Sequence, residues 1–212
     1  GYDAYFAQGG DWGSAVTTEI GLQNLGHCKG IHLNMPSARP TKEARENPTD
    51  RDKLAMARGR AYNDEDSGYS KQQSTRPQTL GYGLADSPSG QGMWILEKFW
   101  RWTDCDGHPE NVLTRDELID NIMLYWLNNT GASSGRLYWE SFGAFGGDEK
   151  IEVPTGCSIF PKEIVPTPRS WAEQRFGNIL YWNELGKGGH FAAFEQPNLF
   201  VSELRKSFGP MR

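Results

Sequence analysis

Hydrophobic and polar positions follow two different rhythms along this chain, and the change between them divides it. At the start, Tyr2 to Gln8 is short and aromatic-rich, Gly9-Gly10-Asp11-Trp12-Gly13-Ser14 is a turn, and Ala15 to Leu25 is compatible with a helix. Gly30-Ile31-His32-Leu33-Asn34 then reads as a second short strand. A strand that feeds a helix and returns to a strand is the right-handed βαβ unit of a parallel sheet. Asp11 therefore falls at a strand's carboxyl end, where open α/β sheets bind ligands.

From Met35 to about Asp66 the alternation disappears and Pro36, Pro40 and Pro48 punctuate a polar stretch, which reads as a boundary or insertion. Two helices follow. Gly92 to Trp102 groups Trp94, Ile95, Phe99 and Trp102 on roughly one face, and Arg115 to Asn128 is preceded by Thr114, with Glu117 three residues on, a capping box. Strand signals resume at Ile151 to Val153 and at Asn178 to Trp182. Between them Thr167-Pro168 reads as the N-cap and first-turn pair of a short helix. A last helix near Pro197 carries Leu199, Phe200, Leu204 and Phe208. The order β-α-β, helical insertion, β-α-β-α predicts an α/β fold with a partial parallel sheet, its core at residues 1–35 and 146–212 and a helical insertion at 36–145.

Composition narrows the classes. With 26 aromatic residues (Trp 8, Tyr 8, Phe 10) in 212, the chain has too much buriable area to be a disordered segment. Its net charge of -5, with no Lys/Arg block, argues against nucleic acid and anionic membrane surfaces. Apolar runs of only a few residues leave no membrane-spanning segment. Cys28, Cys105 and Cys157 lie far apart and outside any C-x-x-C spacing, so they read as reduced packing thiols.

Gly9-Gly10-Asp11-Trp12-Gly13 has the small-x-nucleophile-x-small form in which a strained strand-to-helix turn lifts one side chain above the sheet. Serine usually stands there. An ionised aspartate needs no base to attack an sp3 carbon, and the product is an ester on the enzyme. The plainer alternative is an Asp that only caps the helix behind it. Gly188-Gly189-His190-Phe191 follows the last strand, so His190 is the candidate base for hydrolysing that ester, or else a loop histidine bonded to a carbonyl. His27, His32 and His108 follow no strand end in a glycine loop and read as packing residues. An acid must orient the imidazole. Glu163 lies in a loop after a strand, 27 residues before His190, with Glu184 and Asp148 as competitors. The order nucleophile, acid, histidine is that of the α/β-hydrolase fold.

Five segments in order carry a resemblance: Gly9 to Ser14, Ser74 to Leu80, Leu84 to Gly90, Trp94 to Phe99 and Gly188 to Glu195. Together they resemble the microsomal-type epoxide hydrolases, a family of the α/β-hydrolase fold, over residues 1 to about 208. The resemblance implies hydrolysis of an epoxide to a vicinal diol through an aspartyl ester. Asp11 matches the nucleophile, His190 the base and Glu163 the acid. It also implies two lid tyrosines as donors to the epoxide oxygen, matched by Tyr69 and Tyr138. Ring opening develops an alkoxide, and such donors stabilise it. The amide of Trp12, next after the nucleophile, is the expected oxyanion donor. Residues 36–145 would be the lid. No metal or organic cofactor is implied, and the partner is a small-molecule epoxide.

Members of that family are longer, with strands and a His-Gly-x-Pro-type loop ahead of the elbow strand. The expectation is that this chain, with about four core strands, is weakly active or inactive alone. Its exposed sheet edge leaves a homodimer open. Localisation, cytoplasmic or microsomal and membrane-associated, stays undecided at this level. Two rival readings remain: a haloalkane dehalogenase, which shares the Asp nucleophile, the following Trp and the His base, and an inactive fragment or binding protein that keeps the pocket. A juvenile-hormone-type epoxide hydrolase would run the same chemistry on a terpenoid.

Overall fold

A computed structural model describes the backbone of residues 1–212 and the side chains of 1–143, 145 and 147–212. Four strands, β1 (Tyr5–Gly9), β2 (Cys28–Leu33), β3 (Thr155–Ile159) and β4 (Ile179–Glu184), form one parallel sheet in the order β1-β2-β3-β4. The two middle strands are almost wholly buried, as expected where both faces of a parallel sheet are covered.

Helix α1 (Asp11–Gln23) connects β1 to β2 and begins at Asp11 itself, four residues before the expected start at Ala15. It is followed by α2 (Lys42–Glu46), α3 (Asp50–Ala61), a π-helical turn at Tyr62–Asp66, α4 (Gly68–Thr75) and α5 (Pro77–Asp86). Then come α6 (Pro88–Trp102), α7 (Arg115–Trp126) and α8 (Gly131–Ser141). After β3 come α9 (Arg169–Ala172), α10 (Ala192–Glu195) and α11 (Pro197–Phe208). No helix among the described residues is long and apolar enough to cross a membrane.

Two further elements differ in more than their starting residue. Ile151 makes only an isolated bridge to Phe176, and the strand proper lies four residues later at Thr155–Ile159. Pro154 cannot donate to a ladder, and the strand beyond it, Thr-Gly-Cys-Ser-Ile, is buried at every position and so shows no alternation. Thr167 does not cap α9. Its hydroxyl donates to the Pro36 carbonyl at 2.8 Å, and the N-cap position falls on Pro168.

Contacts divide the chain into two compact units, Gly1–Arg60 with Phe145–Arg212, and Ala61–Ala144. Residues 36–60, expected with the insertion, therefore belong to the first unit. Polar ties explain this better than hydrophobic pattern does. Trp171 Nε1 donates to the buried Asp52 at 2.7 Å, and Arg175 Nη1 donates to the Ser37 carbonyl at 3.1 Å. A small apolar cluster of Ala44, Ala55 and Trp171 packs beside these ties. The main core of the first unit, including Ile31, Leu33, Ile151, Cys157, Ile159 and Phe176, lies against the sheet. Cys28, Cys105 and Cys157 are buried free thiols.

Candidate active site

The loop between β1 and α1 has little room. A Cβ at Gly9 would lie 1.9 Å from the Gly13 carbonyl oxygen, and one at Gly10 would lie 2.5 Å from the Asn34 side chain. Only glycine fits either position, which lets the chain turn at once from strand to helix. Asp11 takes the consequence: its φ of 47° is left-handed, a conformation that costs a non-glycine residue about 1–2 kcal/mol. Asn34, at the end of β2, accepts a bond from the Gln8 side chain at 3.0 Å, and Ser14 Oγ donates to the Met35 carbonyl at 2.6 Å. Sequence reading missed Asn34, because its role is to fill space against a glycine far away in the chain.

The structure brings Asp11, His190 and Glu163 together. His190 Nδ1 lies 2.6 Å from Glu163 Oε1, with both side chains almost completely buried. On the opposite ring face, Nε2 lies 3.7 Å from Asp11 Oδ2, an ion-pair separation that is long for a hydrogen bond. Asp11 is half-exposed where the other two are buried. Glu163 is held from several sides. The Ile164 amide donates to its Oε1 at 2.7 Å, and Arg58 donates to its backbone carbonyl at 2.9 Å. The competitors sit elsewhere. Asp148 pairs with Arg39 on the surface, and Glu184 pairs with Arg51.

Two loops meet to make the His190–Glu163 contact. The Lys162 amide donates to the Gly188 carbonyl at 3.1 Å, lacing the acid loop to the histidine loop. Gly188 has φ of +104°, and a Cβ there would lie 2.7 Å from the Phe160 ring, so the glycine is required twice over. The buried Glu195 carboxylate accepts from the Gly189 amide at 3.0 Å and fixes the residue just ahead of the imidazole. Its signal in the sequence was the glutamate that closes the Gly188 to Glu195 block.

Electrostatics follow from this geometry. Burial pulls the His190 imidazolium down, but the charge of Glu163 and the Asp11 carboxylate outweigh it and hold the proton, up to about 10. We take the Asp11 share to be mainly charge, given the 3.7 Å separation. Trp12 occupies the second position of α1, where amides point out of the helix N-terminus toward any developing negative charge, and its ring packs edge-on against Phe145 at 4.8 Å.

Tyr69 and Tyr138 both lie in the second unit, on α4 and α8. Their rings meet edge to face at 5.6 Å. Tyr62 Oη lies 3.1 Å from Tyr69 Oη. Tyr69 also lines a cleft of about 580 Å³ together with Leu80, Trp94, Glu97 and Lys98. Among the described residues no cluster of His, Cys, Asp and Glu could hold a metal ion. The histidines read as packing have local partners: His27 meets the Asp3 carbonyl, His32 meets Ser158, and His108 caps the amide of Glu110.

No protein-family model matches the chain. It is 50% identical over its whole length to a Stigmatella aurantiaca protein described by name as an epoxide hydrolase, and covers 48% of that protein. It is 35% identical to Epoxide hydrolase 1 of Sus scrofa, over 99% of this chain and 52% of the relative. The solved structure of Aspergillus niger epoxide hydrolase superimposes with a TM-score of 0.87 at 30% identity, covering 99% of this chain and 53% of that one. Juvenile hormone epoxide hydrolase from Bombyx mori gives 0.86 at 29% identity, covering 100% and 56%. The chain thus spans about half the length of the relatives it matches. Identity along its full length makes the chain similar to the microsomal-type epoxide hydrolases, and the shared parallel-sheet architecture is that of the α/β-hydrolase fold.

Proposed function

We propose that this chain carries the catalytic residues of an epoxide hydrolase, with Asp11 as nucleophile, His190 as base and Glu163 as the acid that orients it. The observation that carries this reading is the buried His190–Glu163 pair at 2.6 Å, with the other ring nitrogen facing the strained Asp11 at 3.7 Å. The Asp11 carboxylate attacks an epoxide carbon, the C–O bond breaks toward oxygen, and the alkoxide takes a proton. Tyr69 and Tyr138 are the donors this reading assigns, supported by the family resemblance and by their mutual contact. Water then attacks the ester carbonyl, giving its proton to His190. The Trp12 amide stabilises the oxyanion; its collapse expels the diol oxygen, which takes the proton back from His190, and the proton shed as Asp11 returns to a carboxylate restores the phenol.

The first step prepares the second. While Asp11 is a carboxylate, two anionic neighbours hold the proton on His190. Esterification removes one of them, so the ring gives up its resting proton more readily and is free to act as base when water must be activated. The substrate class this reading assigns is an apolar, aryl-substituted epoxide, in keeping with the aromatic rings of Tyr62, Trp102 and Tyr138 packed around Tyr69.

The test is intact-protein mass spectrometry on His190→Gln after separate exposure to an aryl epoxide and a haloalkane. The expected result is a gain of the whole epoxide mass, localised to Asp11. An alkyl mass with halide lost would mark a dehalogenase. No adduct on this chain, nor on one extended to the full length of its relatives, would reject covalent catalysis.

A further inference from the structure

Lys98 is an unusual lysine. It lies on α6 with its side chain only 11% exposed, and its ammonium sits 4.6 Å from the centroid of the Tyr69 ring and 5.2 Å from that of Trp102. Among the described residues its ion-pair partner is Glu97 at 3.0 Å, a carboxylate that is itself about half exposed. Lysines are seldom buried so deeply without a matching buried anion. The other carboxylates of this cleft, Glu65 and Asp66, are engaged by Arg101 at 2.7 and 3.1 Å.

We propose that Lys98 is a positioning residue that works through Tyr69: its ammonium, held over the phenol ring, strengthens the Tyr69 hydroxyl as a proton donor. This rests on the reading of Tyr69 as a donor to the opening epoxide. The physics is that of a cation over a π face. As the hydroxyl proton moves away, negative charge spreads into the ring, and a poorly hydrated ammonium beside that ring stabilises it. The Tyr62 hydroxyl, 3.1 Å from that of Tyr69, is hydrogen-bonded to the same group. A structural role alone would need only the lysine's apolar stem and would be indifferent to its charge.

The test is a titration of the chain labelled with 13Cζ-tyrosine, the Tyr69 resonance being identified by its loss in Tyr69→Phe. In Lys98→Met, which keeps the stem and deletes the charge, the Tyr69 resonance should titrate about one pH unit higher. Lys98→Arg should restore the native value. Glu97→Gln, which frees the ammonium of its counter-charge, should move the resonance the opposite way, and this variant keeps the experiment decisive should Lys98→Met fail to fold. An unmoved Tyr69 resonance in Lys98→Met or in Glu97→Gln would overturn the proposal, whatever either variant does to thermal stability.

The kinetic arm follows the rate of ester formation in this chain and in one extended to the length of its relatives. Lys98→Met should slow it about tenfold, one pH unit of donor strength corresponding to a factor of ten. In a Tyr69→Phe background the same substitution should have no further effect. A native rate in Tyr69→Phe would remove the assignment of Tyr69 as a donor, while the titration would still decide whether Lys98 tunes the phenol.

Discussion

Asp11 carries a strained backbone, a half-exposed carboxylate and an imidazolium 3.7 Å away, and under the proposed mechanism each of these serves reaction more than stability. The strain was legible in the sequence, because glycines around an Asp between a strand and a helix signal a turn too tight for side chains. The choice of acid was less so: Glu163 lies in the loop after β3, Glu184 closes β4 and Asp148 lies ahead of β3, and packing is what separates them. At this scale Asp11→Asn is informative, since it resembles the esterified state in charge. The His190 proton, now held up to about 10, should be lost at a lower pH in the variant, because one of the two carboxylates retaining it is gone. A titration of the His190 ring resonances by NMR measures this, and an unchanged midpoint would mean that Glu163 alone holds the proton.

Elements were legible in proportion to how local their causes are. The capping box at α7 is wholly local: Thr114 Oγ1 accepts from the Glu117 amide at 3.2 Å, and Glu117 accepts in return from the Thr114 amide at 2.7 Å. Its sequence signature therefore placed the helix start. Thr114→Ala should lower stability by about 1 kcal/mol, read as a shift of the urea midpoint, with Thr114→Ser close to native. Strand β3 is the opposite case. It is buried on both faces between β2 and β4, so nothing in its own pattern marks which residues pair. Gly156 shows why: a Cβ there would lie 1.8 Å from the Ser207 hydroxyl on α11, a neighbour 51 positions away.

At the scale of the molecule, two buried histidines shape stability in opposite directions. His32 Nε2 lies 3.0 Å from Ser158 Oγ, which itself donates to Glu203, so the ring is best accommodated with its proton on Nε2. Nδ1 is buried with no hydrogen-bond partner among the described residues. Burial, offset in part by the charge of Glu203, lowers its proton affinity from 6.5 to about 4. The unfolded chain thus binds that proton first, and the stabilisation is complete above about pH 6.5 and lost as pH falls toward 4, about 3 kcal/mol in all. His190 has the opposite sign. Its contribution is complete below about pH 6.5 and is lost as pH rises toward 10. Urea midpoints at pH 4.5, 6.5 and 9.5 should therefore peak near the middle value. His32→Asn should flatten the acid limb only, and an acid limb as steep as native would refute the assignment.

The sequence by itself determined the turn around Asp11, the capped helices, the α/β class and the set of residues that resemble a hydrolase, because each depends on neighbours within a few positions. Only tertiary structure decided that Glu163 reaches His190, that Asn34 and Glu195 support the loops around them, and that residues 36–60 belong with the sheet. Those outcomes rest on single polar bonds and on glycine contacts between segments far apart in the chain. Such bonds leave no periodicity for a sequence to show, since a hydrogen bond from Trp171 to Asp52 requires only one suitable residue at each end.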